Sequence, residues 1–226
     1  MVGLVRAATV IALKDLSLEL RTKTAFASGL VFAVLVLAIL FFSRDPTAVA
    51  SRDIAPGALW VTFTFASILG LNRAFVLEHE QRAMDAILLA PIPRSAIFWG
   101  KFAGNLVFVG TIEAVSIPLF VVFYDVAVWP YLPSLLLVIA LATVAFVAVG
   151  TLFSAIAVRT QYAEMMLPLL LLPFLVPPLV GGVQLTARVL DGRPLSDLGG
   201  WLRLIGGFDL AFVTLAALLF PVVLED

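Results

Sequence analysis

The chain has 226 residues, 62% of them hydrophobic, with a mean hydropathy of +1.13 and a net charge of −1. A soluble domain is about 45–50% apolar, so this composition describes an integral membrane protein, and the absence of a basic excess argues against nucleic acid as a partner. With no cysteine there is no disulfide, iron–sulfur cluster or thiolate metal site, and the lone His79 excludes a histidine cluster for zinc or di-iron.

Residues 4–24 come first. Leu13, Leu16 and Leu20 form one helical stripe, and Lys14, Asp15, Glu19 and Arg21 interrupt the apolar run. A second ridge of Leu4, Ile11 and Leu18 weakens the amphipathicity. The pattern reads as an in-plane helix at the membrane surface, the alternative being the flank of the first span. Residues 25–43 carry no charge and are long enough to cross a bilayer. Ala48-Val49-Ala50 resembles a signal-peptide cleavage site. The charged segment before the span is too long for an n-region and the apolar run too long for an h-region, so cleavage is not expected.

A polar loop from Arg44 to Ala55 and the turn Ile54-Ala-Pro-Gly57 lead into a second span, 58–77. A third, 97–124, carries Glu113 near its middle. Trp129 and Pro130 mark an interfacial turn before a charge-free fourth span, 132–158. The fifth, 165–183, is interrupted by Pro168, Pro173, Pro177 and Pro178, which predicts kinks or a partly broken helix. Residues 184–200 are polar and Gly-rich, and a sixth span, 201–223, holds Asp209 about two turns in. The expectation is an all-α integral membrane protein of one domain, with six transmembrane helices, an N-terminal in-plane helix and a cytoplasmic coupling helix between spans 2 and 3. With the N-terminus inside, nine lysines and arginines fall on the cytoplasmic side (Arg6, Lys14, Arg21, Lys23, Arg73, Arg82, Arg94, Lys101, Arg159) and five outside (Arg44, Arg52, Arg188, Arg193, Arg203).

The coupling loop, 78–95, is the long charged interruption in this apolar chain. Met84, Ile87, Leu88 and Pro91 recur at i, i+3, i+4 and i+7. Glu78, Arg82 and Asp85 occupy another face, Glu78 and Arg82 in the favourable order for an i,i+4 pair. Pro91 and Pro93 then stop the helix. The stretch is either a helical interfacial loop or a docking helix that offers Met84, Ile87 and Leu88 to a groove on a soluble partner.

No P-loop, nucleophile elbow or H-E-x-x-H is present, so neither ATP binding through a P-loop nor catalysis is expected of this chain. The ionisable residues at membrane depth are Glu113, Asp209, Arg73 and Lys101, and such groups are functional candidates by default. Arg73 and Lys101 lie near the cytoplasmic boundary, within snorkelling reach of it. Glu113 either lines an inter-helix cavity or is a protonated acid bonded to a neighbouring helix. Asp209 is read as a packing or interface residue.

Three segments converge on one resemblance: Ile54-Ala-Pro-Gly-Ala-Leu-Trp-Val61 opening the second span, Asn72-Arg-Ala-Phe75 with Glu78 to Asp85, and Leu88-Leu-Ala-Pro-Ile-Pro93 closing the loop. Together with length, span number and loop order, they resemble the cytochrome c maturation heme exporter protein B family. Many members carry a D-G-S-L-E-Q-L-like sequence where this chain has Arg82-Ala-Met-Asp-Ala-Ile-Leu88.

The resemblance implies an ABC-2-type permease subunit of the bacterial cytoplasmic (inner) membrane, without bound cofactor. ATP belongs to a separate cytoplasmic ATPase subunit that docks on the loop. A heme-handling membrane subunit and a small accessory subunit complete the complex, with heme as candidate cargo, and the implied role is to deliver heme, or to release a heme-loaded chaperone, on the outer side of the membrane. Six helices are half of what a two-ATPase machine normally uses, so a homodimer within the complex is expected. Axial heme ligation needs His, Met, Cys or Tyr. With its one histidine on the cytoplasmic side and its tryptophans scattered, the chain is not expected to hold heme tightly alone. The competing functions are a permease of the same architecture for a drug, lipid or polysaccharide, and a non-transporting assembly scaffold.

Overall fold

The computed structural model describes residues 3–45, 47, 49–80, 87, 89–157 and 163–224, and the side chains of these except 70, 72–80, 157 and 163–168. Among the described residues the chain is all-helical. The α-helices are α1 (Leu4–Thr22), α2 (Thr24–Ser43), α3 (Ser51–Glu80), α4 (Arg94–Tyr124), α5 (Leu132–Ala157), α6 (Ala163–Leu190) and α7 (Gly199–Val223). Short 3₁₀ turns at Trp129–Tyr131 and Leu195–Leu198 precede α5 and α7. Among the described residues, five segments are long and apolar enough to cross a membrane: Thr24–Ser43, Arg94–Tyr124, Trp129–Ile156, Leu169–Leu190 and Leu195–Val223.

Side-chain pairings set the packing. Gly29 of α2 abuts Ala66 of α3 and Ile112 of α4, and Tyr124 donates to the Leu37 carbonyl. Residues 29 and 37 thus lie level with 112 and 124, and α2 runs parallel to α4. Asn105–Thr151 and Glu113–Thr143 pair α4 antiparallel with α5. Gly182 and Thr186 of α6 meet Trp60 of α3, Gly181 meets Ile205 of α7, and Phe98 of α4 packs on Phe220 of α7. Helices α2 to α7 therefore form one up-and-down bundle. At its near end lie α1, the start of α4 and the C-terminus. At its far end lie the 44–50, 125–131 and 191–198 connections.

The local chemistry explains these boundaries. Lys23 adopts the left-handed conformation (φ 56°) and donates to the Glu19 carbonyl, closing α1 and starting α2 in one residue. The Glu19 carboxylate turns back to accept the Phe26 N–H at 2.7 Å, satisfying an orphan amide where the helix dipole favours a negative group. Along α2 the buried residues are Ala25, Gly29, Ala33 and Leu37. This stripe of mostly small side chains permits close helix approach, while Val31, Leu35, Ile39 and Phe42 face outward. Charge-free α5 is the most deeply buried of the apolar spans.

Three boundaries differ from the sequence reading. Helix α3 begins at Ser51 and takes in the Ile54-Ala-Pro-Gly57 turn. Pro56 sits early in the helix, where its missing N–H costs one bond near a terminus rather than breaking an established ladder. Helix α6 runs unbroken past Val183 to Leu190, absorbing the first part of the expected polar loop. Buried contacts with α3 and α7 hold this segment together, and the Gln184 carbonyl and side-chain oxygen both accept from Arg188, at 3.0 and 2.6 Å. Finally, α4 starts at Arg94, directly after Pro93, whose extended backbone (ψ 134°) caps it.

Candidate functional site

Glu113 is 2% exposed on the buried face of α4. The hydroxyl of Thr143, on α5, lies 2.9 and 2.8 Å from its two carboxyl oxygens and 2.8 Å from the Ile139 carbonyl one turn back. Glu113 stands eleven residues before the end of α4, about 16 Å along the helix axis, near the middle of a hydrocarbon layer of about 30 Å. Asp209, on α7, is 8% exposed, and its Oδ1 has no hydrogen-bond partner. Among the described residues, no hydrogen bond or ion pair joins these two carboxyls.

The Ser67 hydroxyl, on α3, is likewise buried without a partner, whereas several other buried hydroxyls are satisfied locally. Thr62, Thr64, Ser116 and Ser154 each donate to a carbonyl four residues earlier. The Trp60 indole N–H donates to Thr186 at 2.8 Å, tying α3 to α6.

Helix α1 packs along the near-end part of α4. A Cβ at Gly100 would come within 2.7 Å of the Ala8 carbonyl, and one at Gly104 within 3.6 Å of Ala12. This close approach buries Lys101, 3% exposed, whose Nζ lies 3.5 Å from Asp15 Oδ2. Lys101 therefore does not snorkel to the boundary: α1 covers it and supplies a carboxylate.

Of the expected docking residues, Glu78 lies in the last turn of α3, with its side chain outside the described set. Arg82, Met84, Asp85 and Leu88 lie outside the described residues. Ile87 is helical and partly buried against the near-end core. The structure brings the two ends of the stretch together at the near end, where α3 stops and α4 starts.

Three partners were not legible in the sequence: Thr143 for Glu113, Thr186 for Trp60 and Asp15 for Lys101. A threonine in an apolar run carries no signal of what it faces, and the partners are 30, 126 and 86 positions apart. Among the described residues, no group of three His, Cys, Asp or Glu side chains is placed to hold a metal ion.

At the far end, between the start of α3, the end of α4, Tyr131 and the end of α6, there is a pocket of about 480 Å³, its walls part polar and part apolar. Arg52, at its rim, bonds Asp191 at 2.7 Å and the Leu190 carbonyl at 3.0 Å.

A profile of the CcmB protein family matches residues 6–225. The chain is similar to heme exporter protein B of Rhodobacter capsulatus, 32% identical over 83% of this chain and 87% of that protein. It is also similar to the proteins of the same name from Paracoccus denitrificans, 29% identical over 82% and 85%, and Pseudomonas aeruginosa, 26% identical over 90% and 91%. With the helical order, the apolar spans and a match across nearly the whole chain, this protein belongs to the CcmB family.

Proposed function

We propose that the chain is the membrane subunit of a heme exporter complex serving c-type cytochrome biogenesis in the bacterial cytoplasmic membrane. The observation that carries this reading is the match along residues 6–225, together with relatives named heme exporter protein B that align over more than four-fifths of both chains. Those names do not favour a drug, lipid or polysaccharide permease, or a scaffold that moves nothing. The chain is a single ABC-2-type permease domain, and ATP is hydrolysed by a separate subunit.

In this reading α3 is the sixth span. It is 30 residues long, about 45 Å, and Trp60 and Phe63 bury it in the bundle. Helix α1 lies in the cytoplasmic interface, with Val5, Leu13 and Leu20 outward. The near end is cytoplasmic, following the excess of lysine and arginine there. The 78–95 stretch receives the ATPase, with Met84 and Leu88 as anchors and Glu78, Arg82 and Asp85 setting register. Two copies of the chain serve two ATPase copies, beside a heme-handling subunit and a small accessory subunit. Heme is the cargo of the complex, and no heme ligand is assigned to this chain.

The test is complementation of a bacterium deleted for its own heme exporter protein B, read by heme staining of c-type cytochromes. Restoration by the wild-type chain is expected, and failure at normal membrane level overturns the reading. Docking is tested with Met84→Asp, which puts an unpaired charge against an apolar groove. Normal membrane level with loss of the copurifying ATPase and of cytochrome is expected, and full ATPase retention overturns docking. Ile87→Asp is a weaker probe, because Ile87 also packs on its own bundle.

A further inference from the structure

Directly beneath the far-end pocket is a second, much smaller void of about 10 Å³ among α3, α4, α5 and α6. That is close to the space one water needs. Leu190 lines both spaces, so they adjoin at that side chain. The floor of the small void includes Ile117 of α4 and Ile139 of α5. Four residues further from the far end on the same two helices are Glu113 and Thr143, and i,i+4 residues share a helix face. The far-end pocket, the void and the Glu113–Thr143 pair thus stack in one column through the centre of the bundle.

We propose that this column is one path, shut in the present conformation at Leu190 and at Ile117–Ile139, which opens toward the far side to admit water and small cations as far as Glu113. Three observations support it. The upper pocket is already open and part polar. The intervening space is lined almost wholly by side chains without hydrogen-bonding groups, Thr186 excepted, so it closes by packing and opens without breaking a polar network. The terminal group is a carboxyl held by one hydroxyl that has an alternative partner in the Ile139 carbonyl, so Thr143 is able to release Glu113 without being orphaned. That the path opens during the partner's ATPase cycle rests on the exporter reading above.

The chain contains no cysteine, so single-cysteine variants report without background from it. Ala127→Cys in the upper pocket, Thr186→Cys and Ile139→Cys on the void, and Val147→Cys in the near-end core are made in the full complex. A charged, membrane-impermeant methanethiosulfonate is applied from the far side, with and without ATP turnover. Labelling of Ala127→Cys throughout, and of Thr186→Cys and Ile139→Cys at least about tenfold faster during turnover, is expected, because an open state that is minor at rest becomes populated. Val147→Cys stays unlabelled. If Ile139→Cys and Thr186→Cys stay unlabelled during turnover while both variants sustain c-type cytochrome formation, the path is wrong and the exporter reading stands. Labelling of Val147→Cys at the same rate as Ile139→Cys also overturns the path, since it means general loosening. If deleting the chain leaves cytochrome formation unchanged, the exporter reading itself fails.

Discussion

Lys101 of α4 reaches Asp15 of α1, Nζ to Oδ2 at 3.5 Å, and the lysine is almost fully buried beneath the helix that supplies its partner. Asp15 also holds Lys14 at 2.8 Å. Removing the acid takes a carboxylate from beside a buried cation, whereas removing both groups leaves no buried cation there. Asp15→Ala is expected to lower stability by about 1–3 kcal/mol. The double variant Asp15→Ala/Lys101→Met should lose clearly less than the sum of the single changes. Thermal unfolding in detergent checks this, and strict additivity would show that the contact contributes nothing.

A Cβ at Gly182 would lie 2.6 Å from the Trp60 ring, and one at Gly110 meets nothing within 4 Å. Gly182→Ala should therefore destabilise by about 1–3 kcal/mol through overpacking. Gly110→Ala, in a helix interior, should be neutral or stabilise by up to about 1 kcal/mol. Unfolding midpoints of the two variants, compared side by side, decide it.

Glu113→Leu replaces a buried carboxyl by an apolar side chain of similar size, and Thr143 keeps the Ile139 carbonyl. Such replacements are often neutral or stabilising. The variant is expected at normal membrane level and undiminished thermal stability. A loss of c-type cytochrome would then assign Glu113 a role in the working cycle. Glu113→Gln, which keeps a hydrogen bond to Thr143, should retain more activity than Glu113→Leu, and equal activity would count against a role for the polar group.

Six spans with a cytoplasmic near end predict that a reporter inserted at residues 126–128 signals from outside and one inserted at 82–86 signals from inside. The opposite result would invert the topology and reverse the docking argument, and two signals from one side would remove α4, the helix between the two sites, as a span.

The sequence by itself determined the class of the protein and the order of its helices. Charge-free runs such as Ala25–Ser43 are insoluble unless helical and surrounded by apolar material, whatever they pack against. Pro93 caps α4 because proline acts on its own backbone. The family resemblance was legible for the same reason, being carried by short contiguous segments. Tertiary structure decided what no local rule contains. It placed Thr143 on Glu113 and Thr186 on Trp60. It carried α6 through four prolines to Leu190 because α3 and α7 bury that segment. It sealed Lys101 under α1 by letting Gly100 touch the Ala8 backbone. Each of these depends on which faces meet across the bundle, and in a chain this apolar nearly every face is a credible partner until packing of small against large side chains selects one.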